Sequence, residues 1–206
     1  MHISDGVLPT SVVIGSYLAS AGLAAWSLKR THPEALPKVA VVTATFFVAS
    51  LIHIPFGPTS VHLLLPGLVG ALLGPSGFVA ILLGLLLQSL LFQFGGLTAL
   101  GANGLMMGLP ALLCGLIFQR FKGSGRQRQM LVGGLCGGLG TLLAAILLAC
   151  LLATGGEDFL GVAKLALLAH LPVIAIEAIV TALTISFLAR VKPEMLQSPL
   201  HNGTRS

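Results

Sequence analysis

The chain begins Met1-His2. The Met1 α-amine, the His2 backbone nitrogen and the His2 imidazole can close chelate rings around one ion. Amine and amide nitrogen make a five-membered ring, and His2 Nδ1 then closes a six-membered one; Nε2 cannot reach. The amide must give up its proton, so such a site tightens as pH rises. The three nitrogens share a plane, and one further imidazole completes a square, the geometry that suits Ni(II) or Cu(II). The candidates for that imidazole are His53, His62 and His170. His62 is preferred, because it follows Gly57-Pro58-Thr59-Ser60, where irregular backbone can dip inward. His53 and His170 each stand two residues before a proline, and can instead donate to the carbonyls that proline leaves unbonded. Taken alone, a histidine at position 2 is an accident of sequence and a lone apolar-face histidine is a packed core residue. The two gain chemical meaning by sharing one side of a membrane.

That membrane is implied by composition. Hydrophobic residues make up 55% of the 206, charged residues 8%, and mean hydropathy is +0.99. A soluble domain carries about 25% charged residues. Apolar runs at about 9–28, 37–55, 61–74, 77–94, 104–121, 130–154 and 162–190 predict an all-α, polytopic membrane bundle of about seven spans. The third run is short and flanked by Pro55, Gly57, Pro58 and Gly74-Pro75, a pattern that points to binding sites in transporters. Lys29, Arg30 and Lys38, then Arg120, Lys122, Arg126 and Arg128, then Arg190, Lys192 and Arg205 all fall on one side of such a bundle; Lys164 is the exception. The positive-inside rule makes that side cytoplasmic, with the N-terminus outside and the C-terminus inside. Met1, His2, the 56–60 link, His53, His62, the 95–104 link and His170 then converge on the outer side. The first residues lack a basic stretch, so no cleaved leader is expected and the chain is expected to keep Met1. The net charge of +5 is a matter of topology and anionic lipid heads, not of nucleic acid.

Other polar residues are few. Ser4 and Asp5 follow the chelate, and Gln88, Gln93, Thr98 and Asn103 cluster in the fourth span and the loop after it. A metal-bound imidazole usually donates its other N–H to an outer acceptor. Asn103 or Gln93 is expected to support His62 or the N-terminus, with Asp5, Thr98 and His53 as further candidates; helix–helix hydrogen bonding is the competing reading. Glu177 lies deep in the last span, seven residues after His170 and on the same helix face. It can pair with His170, face a partner subunit or sit protonated. Met106 and Met107 read as packing residues. Cys114, Cys136 and Cys150 lack CxxC spacing and read as small core residues. Small residues spaced by four (Gly15/Ala19, Ala21/Ala25, Gly70/Gly74, Gly133/Gly137, Gly134/Gly138) let helices approach. Packing within the bundle accounts for most of these, and Ala21 and Ala25 are the candidates for docking another membrane subunit.

No Walker A motif is present: Gly156 and Gly161 have its glycine spacing, but Val162 stands where lysine is needed. Nor is there an HExxH pair. An intramembrane metal-dependent enzyme is therefore the weakest reading, and a stand-alone channel or facilitator the main alternative to a transporter component.

Met1-His2-Ile3-Ser4-Asp5-Gly6-Val7-Leu8 resembles the start of the CbiM/NikM family, the metal-binding S components of energy-coupling factor (ECF) transporters for cobalt and nickel. The stretch from Ile52 through His62 is also similar, nearer the nickel branch, as is Gln88 through Asn103 with Phe92-Gln93-Phe94-Gly95-Gly96-Leu97-Thr98. The resemblance implies one membrane domain over 1–206: a metal-chelating plug at 1–8, a helix bundle at 9–190 and a cytoplasmic tail at 191–206. It implies that Met1, His2 and His62 hold the metal. It also implies a bacterial inner-membrane importer of Ni(II) or Co(II), with no catalytic role, assembled with a transmembrane coupling (T) subunit and two cytoplasmic ABC-type ATPases. The two-span accessory segment of the family has no counterpart here and is expected on a separate small subunit. Planar nitrogen donors favour nickel, while relatives with closely similar starts serve cobalt.

Overall fold

The computed structural model describes residues 2–56, 59–156 and 159–197; the side chains of 53–61 lie outside that description, as do Met1, Gly57, Pro58, Glu157, Asp158 and the tail from Ser198. Seven α-helices occur among the described residues: α1 Thr10–Lys29, α2 Leu36–Ala49, α3 Pro66–Leu73, α4 Gly77–Phe92, α5 Leu100–Phe121, α6 Arg126–Ala153 and α7 Leu160–Val191. Among the described residues, five helical stretches are long and apolar enough to cross a membrane: Thr10–Lys29, Pro66–Phe92, Leu100–Phe121, Arg126–Ala153 and Leu160–Val191. The second is not one straight rod. Gly74 takes φ 55°, and a Cβ on Gly77 would lie 3.6 Å from the Val69 carbonyl oxygen, whereas an unbroken helix separates residues eight apart by about 12 Å. The chain folds back at Gly74, so α3 and α4 lie side by side.

Of the about seven expected spans, the second and third differ from the runs that announced them. The run 37–55 is helical only to Ala49. It gives way to a two-stranded antiparallel hairpin, β1 His53–Phe56 and β2 Thr59–His62, with His53 opposite His62. Pro55 cannot donate to a helix ladder, and the Gly57-Pro58 link favours reversal over helix. The run 61–74 yields only eight helical residues, starting at Pro66. Leu65, at φ 50°, turns the chain into that helix, and Pro66 suits its first turn because the missing N–H would have no intrahelical acceptor there.

Packing follows lipid logic, in which small and polar residues face protein and apolar ones face outward. α1 buries Ser16, Ser20 and Ser27 while exposing Ile14 and Leu18. Ser27 donates to the Pro75 carbonyl at 2.7 Å, and Thr31, whose hydrogen goes to the Ser27 carbonyl, accepts from the Ser76 hydroxyl at 2.9 Å, tying α1 to the α3–α4 turn. α5 packs against α1, α3, α4 and α6, and α6 lies along α7. The core around it includes Met106, Met107 and Phe118. α3 is held in a glycine-lined slot: a Cβ on Gly67 would strike the Cys136 carbonyl, and one on Gly70 the Ala111 carbonyl. Four α6 glycines pack on α7, Gly133 against Ile185, Gly137 against Thr181, Gly134 and Gly138 against Ala178, while Gly140 meets Gly67 of α3. Cys114 and Cys136 are buried, but Cys150, expected in the core, is exposed on α6.

Candidate metal centre

Residues 2–8 run into the bundle against the loop between α4 and α5. Gln93 ends α4 in the left-handed conformation, and Gly95 and Gly96 continue it with φ of 85° and 81°. The two glycines leave room for the N-terminal segment. A Cβ on Gly95 would lie 2.9 Å from Asn103 Nδ2 and 3.0 Å from the His2 Cβ, and one on Gly96 would collide with the Asp5 carboxylate.

Two side chains fasten the segment. Asn103, near the start of α5, treats Ile3 as a strand would: the Ile3 N–H donates to Oδ1 at 2.9 Å, and Nδ2 donates to the Ile3 carbonyl at 3.0 Å. Asp5 accepts from the Thr98 N–H at 2.8 Å and from the Thr98 hydroxyl. This puts a carboxylate at the N-terminus of α5, where backbone N–H groups lack intrahelical partners. The Thr98 bonds hold the Asp5 carboxyl below its ordinary value. Tyr17 of α1 secures the same loop by donating to the Leu97 carbonyl.

With Ile3 so held, the His2 ring lies against His62 and Phe94. The two imidazole centroids are 5.0 Å apart with 19° between planes, and the Phe94 ring is 6.4 Å from His2. Burial pushes the His2 imidazole down to about 4, against a smaller opposing effect from the Gln88 side chain. His62 is also lowered by burial. Both rings are therefore neutral at physiological pH, the state in which imidazole binds metal. His62 Nδ1 lies 3.1 Å from the Leu63 carbonyl, a contact that places the hydrogen on Nδ1. Among the described residues no group of three or more His, Cys, Asp or Glu side chains comes together. Any ion bound here thus needs donors beyond those side chains.

The backbone that carries His62 is pinned from the opposite wall. Glu177, fully buried on α7, accepts from the N–H groups of Leu64 and of Leu65, the latter at 2.9 Å, and its other oxygen meets the Thr141 hydroxyl. Glu177 therefore caps the entry to α3. It does not pair with His170, whose Nδ1 bonds instead to the Ala166 carbonyl at 2.7 Å. That carbonyl is one turn back, and is not the Leu168 carbonyl that Pro172 deprives of its helical donor. Of the other candidates, Gln93 is exposed and serves as the turn after α4. The His53 side chain and Met1 lie outside the described residues. Ala21 and Ala25 are exposed on α1. Gln88, noted only as one of a polar cluster, is fully buried beside His2.

An apolar cavity of about 280 Å³ opens next to His2 between the N-terminal segment and α6 and α7, bounded by Ile3, Val7, Leu148, Leu152 and Leu165.

The chain's relatives share this architecture. Residues 2–195 match the family described as "Cobalt uptake substrate-specific transmembrane region". A "Putative metal transport protein" of Haemophilus influenzae is 37% identical over 204 residues, covering 95% of this chain and 97% of its own. The "Fused nickel transport protein NikMN" of Rhodobacter capsulatus is 33% identical over 221 residues, covering 95% of this chain and 64% of its own. A solved structure titled as a transition metal transporter superposes with a TM-score of 0.80 at 25% identity, covering 93% of each chain. The chain is thus a multi-pass membrane transport protein rather than an enzyme, and it belongs to the CbiM family of cobalt and nickel transport proteins.

Proposed function

We propose that this chain is the substrate-capturing component of an ATP-driven ECF importer for a divalent transition-metal ion, Ni(II) or Co(II). The ion is held by the Met1 amine, the His2 amide and Nδ1, and the imidazole of His62. The observation that carries this reading is the nearness of the His2 and His62 rings, 5.0 Å between centroids. With nitrogen donors about 2.0 Å from the ion and a ring centroid roughly 1.1 Å beyond its nitrogen, adjacent corners of a square give centroids about 4.4 Å apart and opposite corners about 6.2 Å. In a chelate of amine, amide and Nδ1, the amide lies between the other two donors. The open corner is therefore adjacent to the imidazole, and the observed 5.0 Å is nearer the adjacent value than the opposite one. The clamps on Ile3 and Asp5 support the same reading, because they fix the first residues at the depth of His62.

The topology that goes with it keeps the N-terminus outside and the basic links inside. Captured ion then meets the protein from the outer side. Metal names among the relatives include both cobalt and nickel, and the planar nitrogen set inclines this chain to nickel. The sequence holds no Walker A motif, and in this reading the energy comes from a coupling subunit and two cytoplasmic ATPases. Exposed Ala21 and Ala25 on α1 offer a smooth face for that coupling subunit.

The test is equilibrium dialysis of the untagged protein against Ni(II) and Co(II), with elemental analysis. His2→Ala and His62→Ala should each abolish stoichiometric binding. Binding that survives both would refute the site. Uptake in vesicles that lack the ATPases would favour a stand-alone facilitator instead.

A further inference from the structure

Two buried polar atoms at this site have no hydrogen-bond partner among the described residues, His2 Nε2 and Gln88 Oε1. They belong to neighbouring side chains, since the Gln88 side chain acts on the His2 ring as a hydrogen-bonding group that favours a proton there. Gln88 sits on α4 with no exposed surface. Its amide is oriented from the far side. The Ser50 hydroxyl has a single hydrogen and gives it to the Phe47 carbonyl at 2.7 Å. Toward Gln88, also at 2.7 Å, Ser50 therefore accepts, and the amide end facing it is the NH2. The oxygen is the end left for His2. On the ring the chelate needs the lone pair of Nδ1, so Nε2 carries the hydrogen. A buried N–H and a buried carbonyl, each lacking a partner, thus belong to adjacent side chains, and burial of either alone is costly.

We propose that Gln88 is a positioning residue for the metal ligand His2: its Oε1 accepts the Nε2–H, fixes the tautomer with the lone pair on Nδ1, and aims the ring at the ion. This rests on the metal-capture reading above. Phe47, Ser50 and Gln88 form a directed relay from the end of α2 through α4 to the imidazole. Each hydrogen bond in it sets the direction of the next. Metal ligands commonly depend on an outer acceptor of this kind, and its loss costs roughly 10–100-fold in affinity.

The test uses the untagged, full-length protein carrying 15N-histidine, loaded with Ni(II), whose planar low-spin complex is diamagnetic and open to NMR. The expected result is an exchange-protected Nε2–H resonance from His2 with Nδ1 bound to metal. Gln88→Leu should lose that protection and weaken Ni(II) binding roughly 10–100-fold, while Gln88→Glu, which retains an acceptor oxygen, keeps the resonance. Metal on Nε2 in the wild-type spectrum, or an unprotected Nε2–H, overturns the proposal even if Gln88→Leu fails to fold. So does a Gln88→Leu protein with unchanged resonance and affinity. His2→Ala is measured in parallel. Wild-type binding by His2→Ala would sink the capture reading itself, whereas lost binding there with an indifferent Gln88→Leu would sink only the role of Gln88.

Discussion

Asn103 and Ile3 exchange two hydrogen bonds across 100 residues of sequence, Ile3 N–H to Oδ1 at 2.9 Å and Nδ2 to the Ile3 carbonyl at 3.0 Å. One side-chain amide thereby satisfies both backbone groups of the residue after His2, and what would be a mobile terminus becomes part of the core. Asn103→Ala leaves both groups buried without partners, at about 1–3 kcal/mol each. Metal affinity should fall at least several-fold while helical content by circular dichroism stays unchanged. Unaltered affinity would mean that the first residues hold their place without this clamp.

Gly96 tests the same docking by steric means. Its φ of 81° disfavours any side chain, and a Cβ there would collide with the Asp5 carboxylate. Gly96→Ala should expel the N-terminal segment, read as faster hydrogen exchange at residues 3–5 and loss of metal binding. Gly22→Ala, where an added Cβ meets nothing within 4 Å, is the matched control and should bind as wild type does.

Burial lowers the His2 imidazole from 6.5 to about 4. Its folded value is depressed, so well above pH 6.5 the ring is unprotonated in both docked and undocked segments and its titration gives pH no leverage. Between 6.5 and about 4 the undocked segment takes up the proton first, and docking weakens as pH falls, by up to about 3 kcal/mol. In metal-free protein, exchange protection at Ile3 should therefore drop across that interval. A flat profile would contradict the buried placement of the ring.

Much of this was legible in the residues. Apolar runs and basic links announce a membrane bundle, and the helix ends mostly fall within a few residues of the runs. The hairpin at 53–62 was not legible, because four-residue strands of apolar and β-branched residues look like the ends of flanking helices. Gln88 was hidden by its setting: inside an apolar helix a single glutamine reads as packing, and only its neighbours Ser50 and His2 give it a direction. The partners of Glu177 were out of reach for another reason. They are the backbone N–H groups of Leu64 and Leu65, which leave no mark in a sequence.

Glu177 offers a way to separate charge from hydrogen bonding. Glu177→Gln still presents an oxygen to those two N–H groups, and its amide can donate to Thr141, whose hydroxyl is 3.1 Å from the Gly137 carbonyl and can donate there. Glu177→Ala removes every one of these contacts. The first should keep metal affinity near wild type, and the second should lose it together with several degrees of thermal stability. Equal loss in both would show that the negative charge itself is needed.

The face of α1 that carries Ala21 and Ala25 is exposed in the isolated chain. Replacing both by leucine should leave metal binding intact and release the coupling subunit on co-purification from detergent. Retention of that subunit would move the docking face elsewhere.

The most direct measurement compares Ni(II) affinity and the d–d absorption of the protein with a free Met1 against the same protein acetylated at the Met1 amine. Acetylation takes the amine lone pair out of the chelate, so the account predicts loss of the planar-nitrogen absorption and of tight binding. An acetylated chain that binds Ni(II) with the same affinity and the same spectrum would contradict it.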